Sequence, residues 1–170
     1  MSITLADQYY LKALDDYDYS FTEVLENLNY ALSYDTEHAG ANYLMGKLYM
    51  EQFQKFDLAE EHFVAAMSTD PENINTCENF AWLMVKTRRY KEALKLINYA
   101  LDLKGALLPE LLRLKALTFE LTKEYDKAKN VLNEAIAESY DSRYIDFLED
   151  EKNRVNRKQE MNQKVSYHVS

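Results

Sequence analysis

Four stretches of this chain spell nearly the same helix: "FTEVLENLNYALSYDT", "FDLAEEHFVAAMSTDP", "RRYKEALKLINYALDLKG" and "YDKAKNVLNEAIAESY". Aligned on a small residue, they put Ala31, Ala66, Ala100 and Ala135 in one column, at intervals of 35, 34 and 35 residues. Phe21, Phe56, Tyr90 and Tyr125 keep the same step at the front of each stretch. Ala59, Ala93 and Ala128 recur three residues after the aromatic, with Val24 in the first copy; Leu28, Phe63, Ile97 and Leu132 follow four residues later. Chance likeness between helices does not hold several columns in register along a whole chain. This is an internal repeat.

Each later copy also carries an earlier helix, "ANYLMGKLYMEQ", "INTCENFAWLMVK" and "PELLRLKALTFELT". Its small column is Gly46, Ala81 and Ala116, with Tyr49, Met84 and Phe119 three residues on. Small residues there let paired helices approach closely, and the aromatics fill the space beside them. Ser20 with Glu23 reads as a capping box, Asp70 before Pro71 as an N-cap and first helical residue, and Gly105 as a helix stop. The pattern predicts an all-α chain of eight helices in four antiparallel pairs, over residues 4–36, 37–70, 71–106 and 107–140. After them, "SRYIDFLEDEKNRVNRKQEMNQK" opens on Tyr144, Ile145, Phe147 and Leu148 and then turns charged. That predicts a capping helix over 141–160, with the basic run Lys152 to Lys158 solvated and 161–170 a flexible tail.

The period, the small columns and the "DP" of Asp70 and Pro71 resemble the tetratricopeptide repeat family over residues 4–140. The third copy is the most similar and the first the least. The family's early Trp is replaced by Asn42, Cys77 and Leu112, its closing Pro survives only as Pro71, and extra residues fall near Gln52–Lys55 and Ala106–Leu108. The resemblance implies a right-handed superhelix of helix pairs, an α-solenoid, whose concave face binds a peptide or helix of a partner protein. It does not extend to the chaperone-tail-binding relatives that hold a terminal carboxylate. Their columns read Tyr43, Lys47, Asn79, Glu110 and Leu114 here; only Asn79 matches, and Glu110 has the wrong sign.

Catalytic parts do not assemble. His38, His62 and His168 are far apart in sequence, none within three or four residues of Cys77 or of another His, and Gly40, Gly46 and Gly105 never form a phosphate loop. No catalytic residue, cofactor or metal is expected. A formal charge of −9 argues against a nucleic-acid partner, whose phosphates need clustered Lys and Arg. "MSITLADQYY" has no leader character and no run suits a membrane span; with Cys77 alone, these features fit the cytoplasm.

What remains is surface. On the first helix of each pair, positions not used for packing form a second stripe at helical spacing. It collects Tyr10, Leu14 and Tyr17; Gly40, Tyr43, Lys47 and Met50; Asn75, Glu78, Trp82, Val85 and Lys86; then Glu110, Arg113, Leu117 and Leu121. The expected partner-binding residues are Tyr10, Tyr43, Lys47, Met50, Glu78, Trp82, Lys86, Arg113 and Leu117. An aromatic trough with scattered cations suits a protein–protein interaction module or scaffold. A self-associating structural protein, with possible homo-oligomers, and a small secretion-type chaperone are the alternatives.

Overall fold

The computed structural model describes residues 3–167. It is all-α, with no strand among the described residues: α1 (Leu5–Asp16), α2 (Phe21–Tyr34), α3 (Ala39–Leu48), α4 (Phe56–Thr69), α5 (Ile74–Lys86), α6 (Tyr90–Leu101), α7 (Leu108–Leu121), α8 (Tyr125–Ala137) and α9 (Ser142–Tyr167). The column of aromatics marks real boundaries, because Phe21, Phe56, Tyr90 and Tyr125 are the first residues of α2, α4, α6 and α8. No helix among the described residues is long and apolar enough to cross a membrane.

The chain forms two compact parts, Met1–Thr87 and Arg88–Ser170. In the N-terminal part, α1 pairs with α2 and α3 with α4, and α5 packs on α4. Its core gathers Val24, Leu28 and Ala31 from α2 with Leu44, Met45 and Leu48 from α3. In the C-terminal part, α7 pairs with α8 and α9 packs on α8; Ala116, Ala128, Leu132 and Ala135 meet Leu148 and Val155 of α9. The repeat columns are therefore core columns.

Helix ends depart from the expected punctuation in four places. The Ser20 hydroxyl accepts from Glu23 N at 3.4 Å, but the return half of that box is absent because Ser20 N–H donates to Asp16 O at 2.9 Å. A complete box sits instead at Thr4 and Asp7. Asp70 ends α4 by donating its N–H to Ala66 O at 2.9 Å, and Asn73 is the cap of α5, accepting from Thr76 N at 3.2 Å. Pro71 thus lies in the turn, where a residue that cannot continue a helix stops one. Helix α6 ends at Leu101, and Gly105 serves the following loop with φ of 85°.

The extra residue near Gln52–Lys55 is absorbed as a π-helical turn, Tyr49–Phe53, that prolongs α3. Gln54, Arg88 and Lys123 follow α3 with its π turn, α5 and α7, and all three take left-handed backbone, with φ of 51°, 62° and 64°. At Lys123 the hydrogen bonds are those of a Schellman turn, Glu124 N–H to Phe119 O and Lys123 N–H to Glu120 O. The repeat uses one stop at this column, without glycine.

Helix α9 is longer than the expected cap and runs through residues 161–167 of the expected tail; residues 168–170, with His168, lie outside the described residues. Its run of charge is not simply solvated. Val155 is buried, and Arg154 and Lys158 reach the buried carboxylate of Glu120 on α7. Leu148 is buried as expected, whereas Phe147 stays exposed, stacked on Tyr144 and covered by the Arg113 guanidinium.

Candidate protein-interaction face

Seven of the nine expected residues fall in the N-terminal part, on its first helices α1, α3 with the π turn, and α5. Helical spacing puts Tyr10 and Tyr17 on one face of α1, and Tyr43 and Lys47 on one face of α3. The Tyr10 ring lies over Gly40, whose backbone it approaches so closely that a Cβ would sit 2.8 Å from the ring. The Tyr17 hydroxyl donates to Glu51 Oε2 at 3.2 Å, and the Lys47 ammonium stands 5.0 Å above the Tyr17 ring. Asn79 of α5 donates to the Tyr43 hydroxyl at 3.3 Å. These contacts lock three first helices into one tyrosine-rich surface.

Beside it, Met50, Glu51, Glu78, Asn79, Trp82 and Lys86 line a depression of about 310 Å³. Trp82 is half-buried in its wall and Lys86 is exposed at the rim. Two stripe residues are turned inward. Met50 is only 3% exposed, because the π turn carries it into the core, where it forms the floor. Val85 is 5% exposed and belongs to the core side of α5. A residue that the stripe omitted, Glu51, takes the place expected of Met50; its spacing of four from Lys47 was the available signal.

The same environment shifts the phenols. Burial, reinforced by Glu51 and Glu78, pushes the Tyr43 hydroxyl up to about 12. Burial and then Glu51 raise Tyr17, and burial alone raises Tyr10. All three stay neutral hydrogen-bonding groups over the physiological range. Burial, with Asp70, also pushes the Cys77 thiol up to about 11, which removes it as a nucleophile.

The remaining two residues lie in the C-terminal part. Arg113 bonds Glu151 at 3.2 Å and covers Phe147, so its side chain is engaged in holding α9. Leu117 is half-buried on the same helix, α7. A larger depression in this part, about 470 Å³, is lined by Leu107, Leu108, Pro109, Tyr140 and Tyr144 with acidic neighbours. It contains none of the nine expected residues. Among the described residues, no three His, Cys, Asp or Glu side chains gather as metal ligands.

No protein-family model and no curated protein matches this sequence. Solved structures do match. PilW, a widely conserved type IV pilus biogenesis factor, superposes with a TM-score of 0.72 at 18% identity, over 80% of this chain and 63% of its own. A tetratricopeptide repeat protein from Parabacteroides merdae ATCC 43184 gives 0.66 at 18% identity, over 94% and 67%. The fold is that of the tetratricopeptide repeat. MamA residues 41–end from Desulfovibrio magneticus RS-1 gives 0.71 at 16% identity, over 98% of this chain and 96% of its own. At such identities the likeness is one of fold. The chain spans about 63% of PilW's length.

Proposed function

We propose that this tetratricopeptide-repeat chain is a non-catalytic interaction module that holds a peptide or helix of a partner protein on the face built by α1, α3 and α5. The observation that carries the reading is the cluster of Tyr10, Tyr17, Tyr43 and Trp82 around polar groups that fix orientation, Asn79 and Glu51. Large, stiff aromatic side chains bury much area at small entropic cost, and they dominate binding hot spots. The fold supports the reading, since its solved examples include a type IV pilus biogenesis factor. The lone, buried Cys77 fits a cytoplasmic setting for this role.

The test is retention of a protein from cell extract by the immobilised chain and its loss with Trp82→Ala, both proteins having the same circular dichroism. Equal retention by the two proteins removes the face from the binding surface. Self-association is the second reading, favoured by Leu5, Leu11 and Tyr34 standing exposed on α1 and α2. A mass that rises with concentration in light scattering would select it.

A further inference from the structure

We infer that the partner segment is basic and seats an Arg or Lys against Tyr17 and Glu51, displacing the Lys47 ammonium; this rests on the binding face proposed above. The charge of the chain is unevenly divided. Residues 1–87 hold fifteen Asp or Glu against four Lys and no Arg, a formal −11, while residues 88–170 hold fourteen acids against sixteen bases, a formal +2. The part that carries the aromatic face therefore attracts cations and repels acidic segments at long range.

The seat itself is visible at short range. The Tyr17 ring already has an ammonium 5.0 Å above it, that of Lys47. The ring's hydroxyl donates to Glu51, which puts more electron density on the ring and strengthens its attraction for a cation. Glu51 is exposed, and among the described residues no cation forms an ion pair with it. Lys47 stands on a long flexible stem and can swing to solvent at small cost. An arriving guanidinium would find one aromatic face, one open carboxylate and the apolar surface of the half-buried Trp82 for its neighbours. An acidic segment would meet Glu51 and Glu78 instead.

The test uses the full chain as bait for a random-peptide display library, with Trp82→Ala in parallel. Peptides combining Arg or Lys with apolar residues should be enriched on the wild type and not on the variant. For the best synthetic peptide, measured by fluorescence anisotropy, Lys47→Ala should tighten binding about two- to fivefold by vacating the seat. Glu51→Gln and Tyr17→Leu should each weaken it by about threefold or more, and salt should weaken it further. Glu51 is exposed and Lys47 and Tyr17 are only half-buried, and none of the three belongs to the buried core, so circular dichroism of each variant should match that of the wild type. Enrichment of acidic peptides, or weaker binding by Lys47→Ala, overturns the basic preference and leaves the face standing. Equal capture by Trp82→Ala, or no enrichment, overturns the face as well.

Discussion

The backbone of Gly46 lies so close to Phe63 that a Cβ placed on it would meet ring atom Cδ1 at 2.9 Å and the Ala59 carbonyl oxygen at 3.1 Å. The C-terminal part packs the same columns with Ala116 and Leu132, trading ring volume for a methyl. Phe63 is fully buried and cannot retreat. Gly46→Ala should therefore cost about 1–3 kcal/mol through overpacking, more than the roughly 1 kcal/mol that alanine brings to a helix. Adding Phe63→Leu should recover much of that loss. Urea unfolding of the single and double variants decides it, and an unchanged midpoint for Gly46→Ala would mean the contact is slack.

A second relationship ties α9 to α7. The Glu120 carboxylate is 2% accessible, and it accepts from Arg154 Nη2 at 2.7 Å and from Lys158 Nζ at 2.6 Å. Burial pushes its carboxyl up, but Arg154 and Lys158 outweigh this and hold it below the ordinary range. The sign follows: its stabilisation is present above about pH 4.3 and is lost as pH falls through the lower folded value. Both cations are about half exposed, which partly screens the pair. Arg154→Ala should cost about 1–3 kcal/mol at neutral pH, and Glu120→Gln should flatten the acid limb of the stability curve. Denaturation across acid pH measures both, and parallel curves for wild type and Glu120→Gln would remove this role.

Deleting residues 142–170 should be more severe. It uncovers the surface beneath Leu148 and Val155 and leaves Glu120 without Arg154 and Lys158. Two fully buried side chains set an upper estimate of about 3–6 kcal/mol for the apolar loss alone. The truncated chain should aggregate or melt well below the full chain. A monomer of unchanged stability would make α9 an appendage.

The contrast between these contacts and the repeat columns explains what the sequence could disclose. Ala31, Ala66, Ala100 and Ala135 are all buried, because each recurs where two helices must approach, and recurrence is visible in one dimension. Arg154 and Lys158 lie in a run of Glu, Asn and Lys that has the same composition whether it faces water or Glu120. Their partner is thirty-four and thirty-eight residues away, and they themselves lie on α9, outside the repeat pattern. Met50 missed its expected place for a local reason: one added residue became a π turn and rotated what followed. The proposed stripe keeps Tyr43, Lys47, Glu78 and Trp82 at the surface, whereas Met50 on the π turn and Val85 on the core side of α5 are buried.

His62 offers a pH test in the N-terminal part. Its Nδ1 is 2.9 Å from Asn42 Oδ1, and its ring stacks on Tyr49 with centroids 5.7 Å apart. A carboxamide oxygen only accepts, so Nδ1 carries the proton and donates. Burial lowers the His62 pKa against a smaller opposing pull from Glu61. A depressed histidine leaves stability fully present above the unfolded value of about 6.5 and lost as pH falls through the folded one. Urea unfolding should weaken on going from about pH 7.5 to 5.5, and less so in His62→Asn. Titration of the His62 ring protons by NMR should report a midpoint below the ordinary one; a midpoint at or above it would contradict the burial account.

Trp82 gives the binding face a direct optical readout, because it is the only tryptophan in the chain. It lies half-buried beside Met50, Glu51, Glu78 and Lys86 in the depression on α5, with one side of the indole against protein. The free protein should emit at an intermediate wavelength and be quenched by neutral acrylamide. Iodide should quench less effectively, since the N-terminal part carries a formal −11. A partner that covers the face should shift the emission to the blue and remove the acrylamide quenching. Trp82→Ala should cost about 2 kcal/mol of binding, roughly thirtyfold in affinity, if the indole is a hot spot. Its folding cost should be smaller, because the residue is not enclosed. Emission that is already blue and insensitive to acrylamide in the free protein would assign Trp82 to the core, and the α1–α3–α5 face would lose its central anchor.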